Sequence, residues 1–199
     1  MSYIVYDLET SGLAPQWNVP LQAALIHCDD NLQPLSELSL RCRLPAHIVP
    51  APGALFTTGI GPAQLEQAPM SSTEMLIAIA KALSAWAPST VIGYNTIRFD
   101  EEMLRHAFFT HLLPPYATQL GGHRRADLLT MVRAVAMLEP QAITVPITRS
   151  ANRASSSAIS AGRTASRWPR MRRMTPWRIR ERRSPCSGTC ARSRPQRSR

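Results

Sequence analysis

The 199-residue chain predicts an α/β domain, a mixed β-sheet flanked by helices, followed by a disordered arginine-rich C-terminal tail. Three observations lead there. Strand-like runs come first, and helical and strand-like runs then alternate, which is the order of a mixed sheet carrying helices. Charge divides sharply near residue 148: fifteen of the 23 basic residues are arginines within 149–199, where Glu181 is the single acid among 13. The eight basic and twelve acidic residues left in 1–148 give that part about −4, against about +14 for the tail and +10 for the whole chain. Aliphatic residues divide at the same place. Every leucine and valine precedes residue 149, and of Leu, Ile, Val and Phe the tail keeps only Ile159 and Ile179. A segment with far less than about 20% of these residues cannot bury a core. The expected organisation is therefore a domain over 1–148 and a disordered segment over 149–199.

The elements follow in chain order. "YIVYDLE" (3–9) is β-branched and aromatic, as a buried strand requires. "LQAALIHC" (21–28) and "LSELSLRCRL" (35–44) read as its neighbours, with "DDNLQP" turning between them, so the first three strands predict an antiparallel meander. Prolines 45, 50, 52, 62 and 69 mark a loop, in which "GPAQLEQA" forms a short helix with Pro62 in its first turn. "SSTEMLIAIAKALSAWA" (71–87) opens on a serine/threonine cap and carries an apolar stripe at Met75, Leu76, Ile79, Leu83 and Trp86, the pattern of a helix. "STVIGYN" (89–95) is a fourth strand and "FDEEMLRHAFFTHLL" (99–113) a second long helix. A third, over 125–140, takes Asp127 as N-cap and ends at Pro140.

The four cysteines form no C-x-x-C pair. Cys28 and Cys42 lie in apolar strand-like runs and read as buried free thiols; Cys186 and Cys190 have no histidines nearby, which argues against zinc. Asp7 and Glu9 interrupt the apolar start, so no signal peptide fits, and no run reaches the roughly 20 apolar residues of a membrane span. A cytoplasmic protein without a membrane partner, and a monomer, is the expectation.

Asp7-Leu8-Glu9 puts two carboxylates on one face of a strand, because side chains alternate with period two. Two acids on one side of an apolar strand are costly unless cations compensate them, and Mg²⁺ is the hard partner that carboxylates suit. Solvated acids at a strand end are the plainer alternative. Asp100 follows "GYNTIRF" at a strand-to-helix junction, where an acid also favours the helix dipole, and Glu101 and Glu102 need no role beyond that.

The pairing of "YDLETSGL" with "GYNTIRFDEEML" some ninety residues later is more specific. These segments resemble the first and second motifs of the proofreading-type DEDD 3′→5′ exonucleases, which have a ribonuclease H-like fold, and most of all the exonuclease I family, which degrades single-stranded DNA in repair and recombination. "VPLQAALIHCDDNLQPL", "PAPGALFTTGIGPAQL", "PPY" and "RADLLTMVRAVAMLEPQAI" follow that family's order through about residue 147. The resemblance implies that Asp7 bridges two Mg²⁺ ions, with Mn²⁺ as a substitute, and that Glu9 and Asp100 each hold one. It implies further that Asn95 and Phe99 lie near the terminal nucleotide, and Thr10 and Leu13 near the 3′ end. Phe99 also fits a core position, and capping alone explains Asp127. Single-stranded DNA is the implied partner, with a single-strand-binding protein as a further one. The family's other domains that grip DNA are not in this chain. "GYNTIRFD" and the proline-rich loop favour exonuclease I over a proofreading or oligoribonuclease relative.

The family's third motif, a general-base histidine followed about five residues later by a fourth metal-binding aspartate, is missing. It should fall near residue 175, yet no histidine follows His123 and no aspartate follows Asp127, and none of His27, His47, His106, His111 and His123 has the spacing. Met and Trp have single codons, which exposes the cause. Arg173 to Ile179 written CGC-ATG-ACG-CCC-TGG-CGG-ATA regroups from the last base of Arg173 as CAT-GAC-GCC-CTG-GCG-GAT, or His-Asp-Ala-Leu-Ala-Asp. Third bases are chosen to fit, but AT of Met174, TG of Trp177 and AT of Ile179 are fixed and fall where they are needed. "RASSSAISAG" likewise accommodates Ser-Phe-Lys-Leu-Gly-Asp-Leu. The expectation is a frameshift between about Pro146 and Ala154, leaving an incomplete nuclease with little or no activity. The alternative is a non-catalytic nucleic-acid-binding protein whose arginine tail grips phosphates.

Overall fold

The computed structural model describes residues 1–143; the tail over 149–199, with Cys186, Cys190 and the proposed frameshift point, lies outside the described residues. Five strands form one sheet in the order β3-β2-β1-β4-β5. β1 (Ser2–Thr10), β2 (Pro20–Cys28) and β3 (Pro34–Arg41) are the expected meander, antiparallel throughout. The turn between β2 and β3 is set by Asp29, whose Oδ1 accepts from the backbone N–H groups of Asn31 at 2.9 Å and Gln33 at 2.8 Å. An aspartate in that position replaces the backbone partners that a tight reversal leaves unmet.

On the other side of β1, β4 (Ser89–Gly93) and β5 (Arg124–Asp127) run parallel to it. Parallel neighbours need crossovers. α3 (Ser72–Ala85) precedes β4, and α4 (Asp100–Thr110) lies between β4 and β5. α3 starts on the expected capping box: the Glu74 N–H donates to Ser71 Oγ at 3.2 Å, and the Ser71 N–H donates to Glu74 Oε2 at 2.7 Å. Its buried Met75, Leu76, Ile79 and Leu83 join Met103, Leu104 and Phe108 of α4 over Ile4, Tyr6, Leu8, Leu25 and Val91 of the sheet. Each fully buried large side chain here stabilises by about 1.5–3 kcal/mol relative to exposure.

Two expectations need correction. The proline-rich segment holds two short helices, not one: α1 (Pro52–Thr58) precedes α2 (Pro62–Glu66). α1 has no buried residue, so it carried no apolar stripe to read; its signals are Pro52 at the start and Gly59 in the left-handed conformation at the end. The helix expected over 125–140 begins later, at Leu128, as α5 (Leu128–Leu138), and the residues before it form β5. "RRAD" shows no alternation of apolar residues because β5 is an edge strand, where charged side chains suit the exposed face.

Asp127 is the N-cap of α5, as expected, its Oδ1 accepting from Leu129 N–H at 2.9 Å. It does more. The same carboxylate accepts from the backbone N–H groups of Asn95 at 3.0 Å and Ile97 at 3.1 Å, so it anchors the 3-10 turn Thr96–Arg98 that leads into α4. Replacing a cap costs about 1 kcal/mol, and each charged bond to a buried donor adds about as much again. Asp127→Ala is therefore expected to destabilise the domain by about 2–4 kcal/mol in urea denaturation, more than capping alone explains.

Candidate active site

Leu8 lies beyond the reach of the β1–β4 pairing, whose last partners are Val5 and Ile92. β4 ends at Gly93 while β1 continues to Thr10, so the edge of β1 is left with unpaired backbone groups. Asp100 supplies the partner: the Leu8 N–H donates to its Oδ1 at 3.2 Å. Gly93 makes the approach possible. A Cβ there would stand 2.1 Å from Thr96 Cγ2 and 2.8 Å from the Tyr6 carbonyl oxygen, so any side chain would push the turn off the strand.

Strand alternation turns Ile4, Tyr6 and Leu8 into the core and leaves Asp7 exposed and Glu9 half-buried on the other face. The β1–β2 register shifts between Glu9 and Thr10, a bulge of the kind that re-aims side chains at strand ends. The electrostatics tie the three acids together. Burial, and next the charge of Asp7, push the Asp100 carboxyl up to about 7. Glu9 is raised by burial and by Asp7, and Asp7 by burial, partly opposed by a backbone hydrogen bond from Leu8. Among the described residues the ion pairs are Arg105–Glu102 and Arg125–Glu101, so none of these three acids is paired with a cation.

This donor set, all carboxylate oxygen and uncompensated, fits a hard divalent cation. Asp7, Glu9 and Asp100 are the residues that can hold it. They interact as two pairs sharing Asp7; among the described residues no group of three or more His, Cys, Asp or Glu side chains is arranged to hold a metal ion as it stands.

The other expected site residues cluster around the same strand ends. Thr10 is buried, and its hydroxyl donates to the Gly12 carbonyl at 2.8 Å, while Leu13 stands 83% exposed on the loop beyond. That loop is pinned by Ser11, whose N–H donates to Val19 O at 2.9 Å and whose carbonyl accepts from Ala51 N–H at 2.7 Å. Asn95 is half-buried in the left-handed conformation, and Phe99, just before Asp100, packs against the core. Of the five histidines, His47 is exposed, His27 stacks on Trp86, and buried His123 accepts from Ser89 N–H at 3.1 Å. Its other ring nitrogen therefore carries the proton and donates to Leu83 O at 2.9 Å.

Glu101 is the residue whose role the sequence understates. Buried, it accepts from the Tyr6 hydroxyl at 3.1 Å, the Thr118 hydroxyl at 2.8 Å and Arg125 at 3.4 Å. Its signal was the tyrosine beside Asp7: an inward-facing Tyr hydroxyl needs a buried partner.

No protein-family model matches the chain. Exodeoxyribonuclease I of Haemophilus influenzae is 35% identical over 145 residues, and that of Escherichia coli 31% identical over 147. The chain is a partial relative of exodeoxyribonuclease I. The matched residues are 71% and 73% of this chain but span only 30% and 31% of those two proteins. The fold agrees with solved exonuclease I structures. An Escherichia coli exonuclease I in complex with a dT13 oligonucleotide superimposes with a TM-score of 0.69 at 28% identity, covering 74% of this chain and 32% of that one. A moderately thermophilic exonuclease I from Methylocaldum szegediense gives 0.69 at 34% identity, covering 75% and 32%. The mixed sheet with its helices thus matches the corresponding part of the solved exonuclease I structures.

The Asp100 shift has a stability consequence. Its pKa when unfolded is 3.8 and when folded about 7, so the folded chain holds the proton more tightly. That contribution is complete below about pH 4 and is lost as pH rises through 7. In metal-free buffer stability is expected to fall by about 3 kcal/mol between pH 5 and pH 8, and the melting temperature with it. Asp100→Asn should flatten most of that slope in thermal melts.

Proposed function

We propose that this sequence derives from a cytoplasmic, divalent-metal-dependent 3′→5′ exonuclease acting on single-stranded DNA in repair and recombination. The observation that carries the reading is the meeting of β1 and α4, where Asp100 bonds the strand between Asp7 and Glu9 and, among the described residues, none of the three acids has a cationic partner. The solved Escherichia coli enzyme in complex with a dT13 oligonucleotide supports the substrate, and an ExoI/SSB-Ct complex supports a protein partner. A single-strand-binding protein is thus a second proposed partner.

Asp7 would be shared by two Mg²⁺ ions, for which Mn²⁺ can substitute, and Glu9 and Asp100 would each hold one. When bound, such a pair activates a water for attack and offsets charge on the leaving 3′ oxygen. The chain's own residues do the rest. The Leu8 N–H fixes one oxygen of Asp100, leaving the other free as a ligand. Thr10 and Leu13, at the loop pinned by Ser11, and Asn95 and Phe99, at the turn pinned by Asp127, would flank the 3′-terminal nucleotide.

The reading also holds that the chain is incomplete. The domain is proposed to run over 1–148 and the segment 149–199 to be out-of-frame translation. Codons for that segment can be chosen so that the missing histidine and fourth aspartate fall five apart in the shifted frame. Removing a general base alone costs about 10²–10⁴-fold. The chain as written should therefore show little or no Mg²⁺-dependent release of nucleotides from 3′-labelled single-stranded DNA. A chain with the frame restored after about residue 146 should cleave, and Asp7→Asn in it should lower cleavage at least about 10³-fold. Resequencing codons 140–180 tests the frame itself.

The charge of 149–199, about +14, favours a second reading, binding to nucleic acid through the tail. Such binding would weaken steeply with salt. Deleting 149–199 separates the two: the binding reading expects affinity to be lost with the tail. The nuclease reading expects Mn²⁺ to raise the melting temperature of the shortened chain at pH 8, and Asp7→Asn to abolish the rise.

A further inference from the structure

Behind the three acids, on the core side of β1, lies a second polar group that touches none of the proposed ligand atoms. Tyr6 is 5% exposed, Glu101 7% and Thr118 4%, so the group is a buried one. Tyr6 Oη donates to Glu101 Oε1 at 3.1 Å, and Glu101 Oε2 accepts from Thr118 Oγ1 at 2.8 Å and from Arg125 Nη1 at 3.4 Å. Four parts of the chain meet there: β1, α4, the segment before β5, and β5 itself.

The positions in sequence are the informative feature. Tyr6 immediately precedes Asp7, and Glu101 immediately follows Asp100. Because strand side chains alternate, Tyr6 points into the core as Asp7 points out of it, so their backbone positions are locked together. Leu8, on the far side of Asp7, bonds Asp100 directly. Two bonds therefore bracket Asp7, from residues 6 and 8 of the strand to residues 101 and 100 of the helix. Any sliding or rotation of α4 against β1 breaks both. A buried carboxylate with a tyrosine is no more stabilising than a well-packed apolar pair. What it adds is direction: hydrogen bonds hold α4 in one register, where apolar packing tolerates several.

We propose that Glu101 is a positioning residue for the metal site, acting through Tyr6 to fix Asp100 relative to Asp7, with Thr118 and Arg125 holding Glu101 in place. The proposal rests on the reading of Asp7, Glu9 and Asp100 as metal ligands. It assigns Glu101 no contact with metal or DNA.

The test is Mn²⁺ titration of the full chain, followed by electron paramagnetic resonance of the free ion, with melting measured in parallel. Tyr6→Phe and Glu101→Leu are each expected to weaken Mn²⁺ binding about 10-fold or more, as loss of the partners that orient metal ligands does. Glu101→Gln, which keeps an acceptor for Tyr6, should retain most of the affinity. Ile79→Val, a core change remote from the network, should bind Mn²⁺ as the unchanged chain does even though it melts lower. If Tyr6→Phe and Glu101→Leu lower the melting temperature but bind Mn²⁺ normally, the network only stabilises the fold and the proposal is wrong. Should Glu101→Leu fail to fold, Tyr6→Phe alone decides. If the unchanged chain and Asp7→Asn bind Mn²⁺ equally poorly, the metal reading itself falls and takes this one with it. That outcome is distinguishable because all variants then behave alike.

Discussion

One hydrogen bond organises the site: the Leu8 N–H to Asp100 Oδ1, made where β4 has stopped and β1 continues. A strand edge with unpaired donors inside a protein must find acceptors elsewhere. Here the acceptor is the first residue of the following helix, which draws a carboxylate from a distant part of the sequence to the strand that bears two others. Gly93 is the permissive element, since any side chain there would collide with the turn that delivers Asp100. Asp127 completes the arrangement by holding that turn from β5. The geometry of the proposed metal-binding site is in this way inherited from the point where parallel pairing ends.

That geometry has an electrostatic cost which the domain does not offset with basic side chains. Among the described residues both ion pairs involve Glu101 and Glu102, on the helix, and neither involves Asp7, Glu9 or Asp100. All three acids are raised, Asp7 by desolvation and Glu9 and Asp100 by burial and then by the charge of Asp7. The N-terminus of α4 supplies some favourable field to Asp100, but a helix end offers only a fraction of a charge. Asp7 facing Glu9 on one side and Asp100 on the other suits a dication, and the raised Asp100 is what is expected to make the metal-free domain sensitive to pH.

Much of this was legible in the residues. The meander, the capping box at Ser71 and Glu74 and the apolar stripe of α3 are local patterns, and each appears where its pattern lies. The N-cap at Asp127 was equally local. α1 escaped because none of its residues is fully buried, Leu55 packing only partly against Leu21, Ile60 and Leu65, and β5 because an exposed edge strand needs no alternation. Glu101 was undervalued for a related reason. An acid in the first turn of a helix has a sufficient local explanation, and nothing near it in sequence shows that Tyr6, Thr118 and Arg125 converge on it.

The sequence by itself singled out Asp7, Glu9 and Asp100 as the candidates for the chemistry, because they stand in two short motifs whose residue types and order are visible without coordinates. It also showed that no histidine follows His123 and no aspartate follows Asp127, so the third motif that the resemblance implies is lacking. Only the tertiary structure decided how the two motifs meet. That depends on β4 ending short of β1, on a turn that a single Cβ would block, and on a buried network joining four segments. These are properties of distances between remote parts of the chain, and no local pattern encodes them.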